Sequence, residues 1–137
     1  MGTWDMSSYG NDTACDWAYG LEDVNDLSYV ESTLDAVLAV GPSGYVDADA
    51  GARAVAAAEV IARLKGNWGD ENSYTVTTDT WVRSHRIVPP AALVAKAVAA
   101  LTRIVSAPSE LLELWEEGED GGGWVDAVAE LKQRASR

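Results

Sequence analysis

The chain has no phenylalanine, one cysteine and one histidine, and no lysine or arginine before position 53. A single thiol, Cys15, excludes an internal disulfide framework and any metal centre built from several cysteines of one chain. It also fits a reducing compartment. A single imidazole, His85, excludes multi-histidine metal sites. No apolar run approaches the roughly 20 residues of a membrane span. The opening MGTWDMSSYG has neither a basic residue nor the apolar centre of a secretory signal, so the expected address is the cytoplasm. Met6 stands where a myristoylation pattern needs Ser or Thr, which removes lipidation. Walker-type and dinucleotide-type glycine fingerprints are missing as well.

What is present describes a folded domain. At 137 residues, 47% hydrophobic and 23% charged, the chain is too apolar for disorder. It is long enough to bury roughly two-thirds of its unfolded surface in one core. A single domain over 1–137 is expected, with residues 1–10 as an N-terminal arm packed on it.

The net charge of −12 is unevenly placed. Residues 1–52 hold ten acidic and no basic side chains, 53–106 hold seven basic and four acidic, and 107–137 hold eight acidic and three basic. Acidic ends around a mildly basic middle repel phosphates and anionic lipid while steering basic proteins inward. Neither direct nucleic-acid binding nor membrane binding is expected.

Helical periodicity dominates. Asn11 or Asp12 caps a first helix reaching about Leu21, with Cys15 and Trp17 toward the core. Ser28 and Glu31 form a capping-box pattern ahead of Val30, Leu34, Val37 and Leu38, and Gly41, Pro42 and Gly44 stop that helix. A third helix starts after Asp47 or Asp49 and carries Ala54, Ala57, Ile61 and Leu64 as a narrow stripe whose alanines favour close helix approach. Tyr74 to Thr78 has strand character, but Thr78 is read as the cap of a short helix over Asp79 to His85. Pro89 and Pro90 precede the clearest helix, with Leu93 or Val94, Ala97, Leu101 and Ile104 in register. Pro108 and Ser109 open a short one. After the glycine-rich GEDGGG, the last helix aligns Trp124, Val128, Leu131 and Ala135, with Lys132, Arg134 and Arg137 complementing its C-terminal end. The expected fold is all-α: six to seven short helices in an irregular bundle or array.

The opening MGTWDMSSYGNDTACDW carries a recognisable pattern, an M-G-x-W start followed by N-D-x-A-x-D-W, at Met1, Gly2, Trp4, Asn11, Asp12, Ala14, Asp16 and Trp17. With AAAEVIARLKG from Ala56 and SELLELWEE from Ser109, it resembles a bacterial family catalogued only as domain of unknown function 4259. The chain departs from that pattern at Asp5 and Ser7, where glycine is expected, and at Tyr9, where phenylalanine is expected. The resemblance implies a fold and no activity.

No catalytic set, cofactor site or metal site emerges. Ser84 beside His85 lacks a nucleophile elbow, and His85 is read as an exposed helix-end residue in a basic patch with Arg83 and Arg86. Cys15 at a helix start has the position of a stabilised thiolate, but burial beside Trp17 is the preferred reading. Asp47, Asp49 and Gly51 begin like a calcium loop whose twelfth position is Ala58 instead of glutamate. Six tryptophans and five tyrosines remain as anchors. Trp17, Trp81, Trp115 and Trp124 fall on amphipathic helices, whereas Trp4, Tyr9, Trp68 and Tyr74 fall in segments open to solvent.

The resulting expectation is a non-enzymatic protein-binding domain, an immunity-type inhibitor that neutralises a basic toxin or enzyme. Its partner-binding set is Trp4, Asp5, Tyr9, Asp12, Asp16, Glu22, Asp23 and Asp26. The alternatives are a carboxylate-dependent hydrolase centred on Asp12 and Asp16, with carboxyl groups about 5 to 9 Å apart, and an acidic nucleic-acid mimic.

Overall fold

A computed structural model describes residues 9, 11–118 and 121–137. Its organising element is the alanine-rich helix α3 (Ala48–Leu64). Asp47 accepts the Ala50 N–H at 2.8 Å and Glu110 accepts the Ala48 N–H at 2.7 Å, so two of the first-turn donors are satisfied, one from a distant segment. At the other end Gly66, at φ +86°, places Asn67 N 2.9 Å from Ala62 O and Gly66 N 3.0 Å from Arg63 O. That left-handed double-bonded stop is one glycine adopts without Cβ strain.

The six other α-helices all pack on α3: α1 (Asp12–Tyr19), α2 (Ser28–Leu38), α4 (Val76–Ser84), α5 (Ala91–Ile104), α6 (Glu110–Glu116) and α7 (Gly121–Ser136). A 3-10 turn, Gly20–Asp23, extends α1. The expected narrow stripe on α3 is therefore corrected. Every residue from Ala54 to Arg63 is buried, because small side chains let neighbours approach from all sides. Helices α2, α5 and α7 also contact one another in the order α2–α5–α7. Among the described residues there is no strand, and Val46 and Ser109 form an isolated parallel bridge. The all-α array of seven helices is as the periodicity indicated, and none of them is long and apolar enough to cross a membrane.

Several local expectations change. Ser28 does not cap α2; Asp26 accepts both the Ser28 N–H (3.0 Å) and its hydroxyl (2.6 Å), and Glu31 instead pairs with Lys96. The fourth helix begins at Val76, ahead of the proposed Thr78 cap. Thr78 is buried within it, because starting earlier lets Asp79 turn inward, where it accepts from Thr75 Oγ1 at 2.6 Å and from Arg63. Gly122 and Gly123 belong to α7, while residues 119 and 120 lie outside the described residues. Ser109 caps α6 as expected, and Leu93 is the buried member of the Leu93/Val94 choice.

Candidate functional site

Helix α1 sorts its residues by chemistry. Asn11, in extended backbone, accepts the Ala14 N–H at 2.7 Å, so Asn11 rather than Asp12 is the cap. From that start Ala14, Trp17, Ala18 and Leu21 turn inward. Asp12, Asp16 and Tyr19, at i, i+4 and i+7, fall on the outer face and are exposed. Glu22, Asp23 and Asp26 follow, also exposed. Among the described residues none of these five carboxylates forms an ion pair. The Ser28 hydrogen bonds hold the Asp26 carboxyl below its usual range. Tyr19 is 59% exposed amid this negative surface.

Beside this face lies a hollow of about 620 Å³ reached by Thr13, Asp16, Tyr29, Thr33, Asp49 and Arg53. The Trp17 and Tyr29 rings stack at its base, 4.9 Å between centroids and 15° apart. Trp17 Nε1 donates to Thr33 Oγ1 at 2.8 Å and the Tyr29 hydroxyl to Trp17 O at 2.7 Å, which locks the pair.

Of the anticipated set, Asp12 and Asp16 share the outer face of α1, and Glu22, Asp23 and Asp26 are exposed in the segment that follows it. Tyr9 is not. It is 1% exposed, its hydroxyl donating to Ala56 O at 2.9 Å, because Ala56 leaves a ring-sized gap over α3. Trp4 and Asp5 lie outside the described residues. The aromatic that sequence reasoning passed over is Tyr19, although its spacing from Asp12 and Asp16 already placed it on their face.

A second constellation was not anticipated at all. Glu59 and Arg63 on α3, Asp79 on α4 and Arg134 on α7 are each no more than 7% exposed. Arg63 donates to Glu59 at 2.5 Å, to Asp79 at 2.9 Å and to Asp70 O at 2.6 Å. Arg134 donates to Glu59 at 2.6 and 3.1 Å and to Glu130 at 2.6 Å. Two carboxylates and two guanidiniums balance, and the shared Glu59 ties α3 to α7. Burial by itself lowers the Arg134 pKa, and the hydrogen bonds that Arg134 donates to Glu59 and Glu130 reverse that, holding it above its usual value. Tyr9 stands against the same cluster. Burial first, then the Glu59 and Asp79 charges, keep its phenol protonated far above the ordinary tyrosine range, against opposing contributions from Thr78 and Arg63. Arg134 lies near the C-terminal end of α7 as its position indicates, but its guanidinium is consumed inside the protein.

A family model described as a domain of unknown function (DUF4259) matches residues 2–127 of this chain. The chain belongs to the DUF4259 family. No curated protein and no solved structure matches it. The match takes in the whole acidic face together with Glu59, Arg63 and Asp79, and stops short of Arg134.

The remaining reactive groups of this DUF4259 domain are held in structural contacts. His85 is half-buried, not exposed: its ring stacks on Trp81 at 4.5 Å, Nδ1 donates to Trp81 O at 2.9 Å, and Nε2 lies 3.2 Å from Asn25 Oδ1. The Trp81 carbonyl, in the last turn of α4, holds the ring against the helix. Cys15 is partly buried and its thiol donates to Tyr9 O at 3.3 Å. Burial, then Asp12 and Asp16, raise its pKa, so the thiolate is disfavoured. Among the described residues no three His, Cys, Asp or Glu side chains converge to hold a metal ion. The arrangement can present charge and an aromatic anchor to a partner.

Proposed function

We propose that this DUF4259 domain is a non-enzymatic protein-binding module, an immunity-type inhibitor that neutralises a bacterial toxin or other basic enzyme in the cytoplasm. One observation carries the reading: Tyr19, 59% exposed, shares the outer face of α1 with Asp12 and Asp16; Glu22, Asp23 and Asp26 are exposed in the segment that follows, and none of these five carboxylates forms an ion pair among the described residues. An exposed tyrosine on a face with unpaired carboxylates suits a partner whose cleft is basic. The ring supplies desolvated contact area, and the carboxylates supply steering and charge matching. The lone thiol Cys15 and the absence of basic residues before Arg53 fit a cytoplasmic protein that does not approach nucleic acid.

The test is binding to the product of the adjacent gene. Tyr19→Ala should weaken the complex by about 2 kcal/mol, mainly through faster dissociation. Asp12→Asn with Asp16→Asn should slow association, and added salt should shrink that difference. A neighbouring product that neither binds this domain nor harms cells lacking it sinks the reading.

A further inference from the structure

Trp68 sits between two guanidiniums: Arg63 Cζ lies 5.2 Å and Arg83 Cζ 4.7 Å from the ring centroid. On the Arg83 side opens a cleft of about 550 Å³. That is the size of small-molecule sites, which run from about 300 to 1,000 Å³. Its apolar walls are Leu64, Val82, Ile87 and Val88, and Val88 is left 86% exposed at the mouth, the most exposed large hydrophobic side chain among the described residues. Its cations are Arg63, Arg83 and Arg86.

The charges can be assigned one by one. Arg63 is answered by Glu59 and Asp79 beneath the cleft. Arg83 is answered by Glu71, 2.6 Å away on the rim. Arg86 is exposed and forms no ion pair among the described residues. One positive charge is therefore left at the mouth of an apolar-walled cleft. A polyanion would meet too few cations there, and the −12 chain would repel it. A neutral apolar molecule would leave Arg86 unused. The complement is a monoanion with an apolar body, and a guanidinium's planar fork favours a planar carboxylate.

We propose that the Trp68–Arg86 cleft binds a small amphiphilic carboxylate, its headgroup on Arg86 and its apolar body along Leu64, Val82, Ile87 and Val88. This site shares no residue with the acidic face and has the opposite charge preference, so it stands or falls independently of the protein-binding reading.

Octanoate is the probe, titrated into the isotopically labelled chain and followed by NMR. The expected result is saturable shifts at the Trp68 indole N–H and the Leu64, Val82, Ile87 and Val88 methyls. Octan-1-ol should bind at least about tenfold more weakly, and Arg86→Ala should lower octanoate affinity by a similar factor. Arg86 is exposed and unpaired, so that variant should keep the native spectrum elsewhere. The proposal is overturned by absence of saturable shifts, by shifts centred elsewhere, by octan-1-ol binding as tightly as octanoate, or by an unaffected Arg86→Ala variant. Inorganic phosphate matching octanoate would also overturn it, since the apolar body would then contribute nothing.

Discussion

Replacing Glu59 by leucine should be the most damaging single change to this domain. Glu59 is 3% exposed, and among the hydrogen bonds it accepts are one from Arg63 at 2.5 Å and two from Arg134 at 2.6 and 3.1 Å. Without it the buried quartet changes from balanced to one net positive charge. Arg63 keeps Asp79, but the carboxylate left to Arg134 among the described residues is Glu130, whose side chain is 58% exposed, beside the Asn67 carbonyl at 3.3 Å. Breaking a buried ion pair by removing one partner costs about 3–5 kcal/mol. That is a large share of the roughly 5–15 kcal/mol by which domains are stable. The double variant Glu59→Leu with Arg134→Met removes both charges and returns apolar volume, so it should lose no more than about 1–2 kcal/mol. The coupling between the two sites should thus be about 2 kcal/mol or more, with the double variant more stable than the Glu59 single variant. Urea denaturation of the four proteins of the cycle measures it. A single-variant loss under about 1 kcal/mol, or losses that simply add, would refute the claim that Glu59 is held for its guanidinium partners.

Three further outcomes follow from the same contacts. Tyr9→Phe removes a phenol whose pKa is raised in the folded state, chiefly by burial; that contribution is full below the unfolded value of about 10 and is lost as pH rises beyond it. The variant should cost about 1 kcal/mol at neutral pH and show a flatter stability decline between about pH 10 and 11.5; an unchanged slope in urea midpoints would count against it. Arg103 donates to the carbonyls of Gly41, Gly44, Ser106 and Pro108 at once, a fan of donors that an ammonium group does not reproduce. Arg103→Lys should therefore lose about 2 kcal/mol despite conserving charge, and a neutral result by thermal melting would be contrary to this account. A Cβ on Gly69 would lie 2.9–3.0 Å from the Arg134 guanidinium, which Glu59 pins in place. Gly69→Ala should cost about 1–2 kcal/mol in the native background and clearly less beside Arg134→Met; equal costs in both backgrounds would show that the clash is with something else.

The helices were legible because their signals are local. Pro89–Pro90 before Leu93, Ala97, Leu101 and Ile104 places α5 without any tertiary information, and Asp47 and Ser109 perform the capping their positions suggested. Errors arose where a local rule met a distant competitor. Ser28 with Glu31 satisfies the capping-box pattern, yet Asp26 bonds to Ser28 first and Lys96, on α5, claims Glu31. Thr78 has the right chemistry for a cap, yet the inward demand for Asp79 starts α4 earlier. On α3 the stripe rule failed because alanine is small enough to be buried against any neighbour, so period alone does not bound the buried face.

The two constellations differ in legibility for the same reason. Glu59 and Arg63 are spaced to pair on one helix, but what makes them a core network is Arg134, which is 75 residues from Glu59 and lies on the flank of the α7 stripe formed by Trp124, Val128, Leu131 and Ala135. Flanking positions are where periodicity is silent, and the preference of cations for helix C-termini accounted for Arg134 without any partner in the core. The acidic face needs no such partner. Asp12, Asp16 and Tyr19 share one side of α1 by spacing alone, opposite Ala14 and Ala18, so an aromatic on the polar stripe was itself the signal. Core burial explains Trp17 on the inner side, and it does not explain Tyr19 on the outer one. The Tyr19 ring, left in water on the polar stripe of α1, is therefore the first position at which the proposed partner surface is tested.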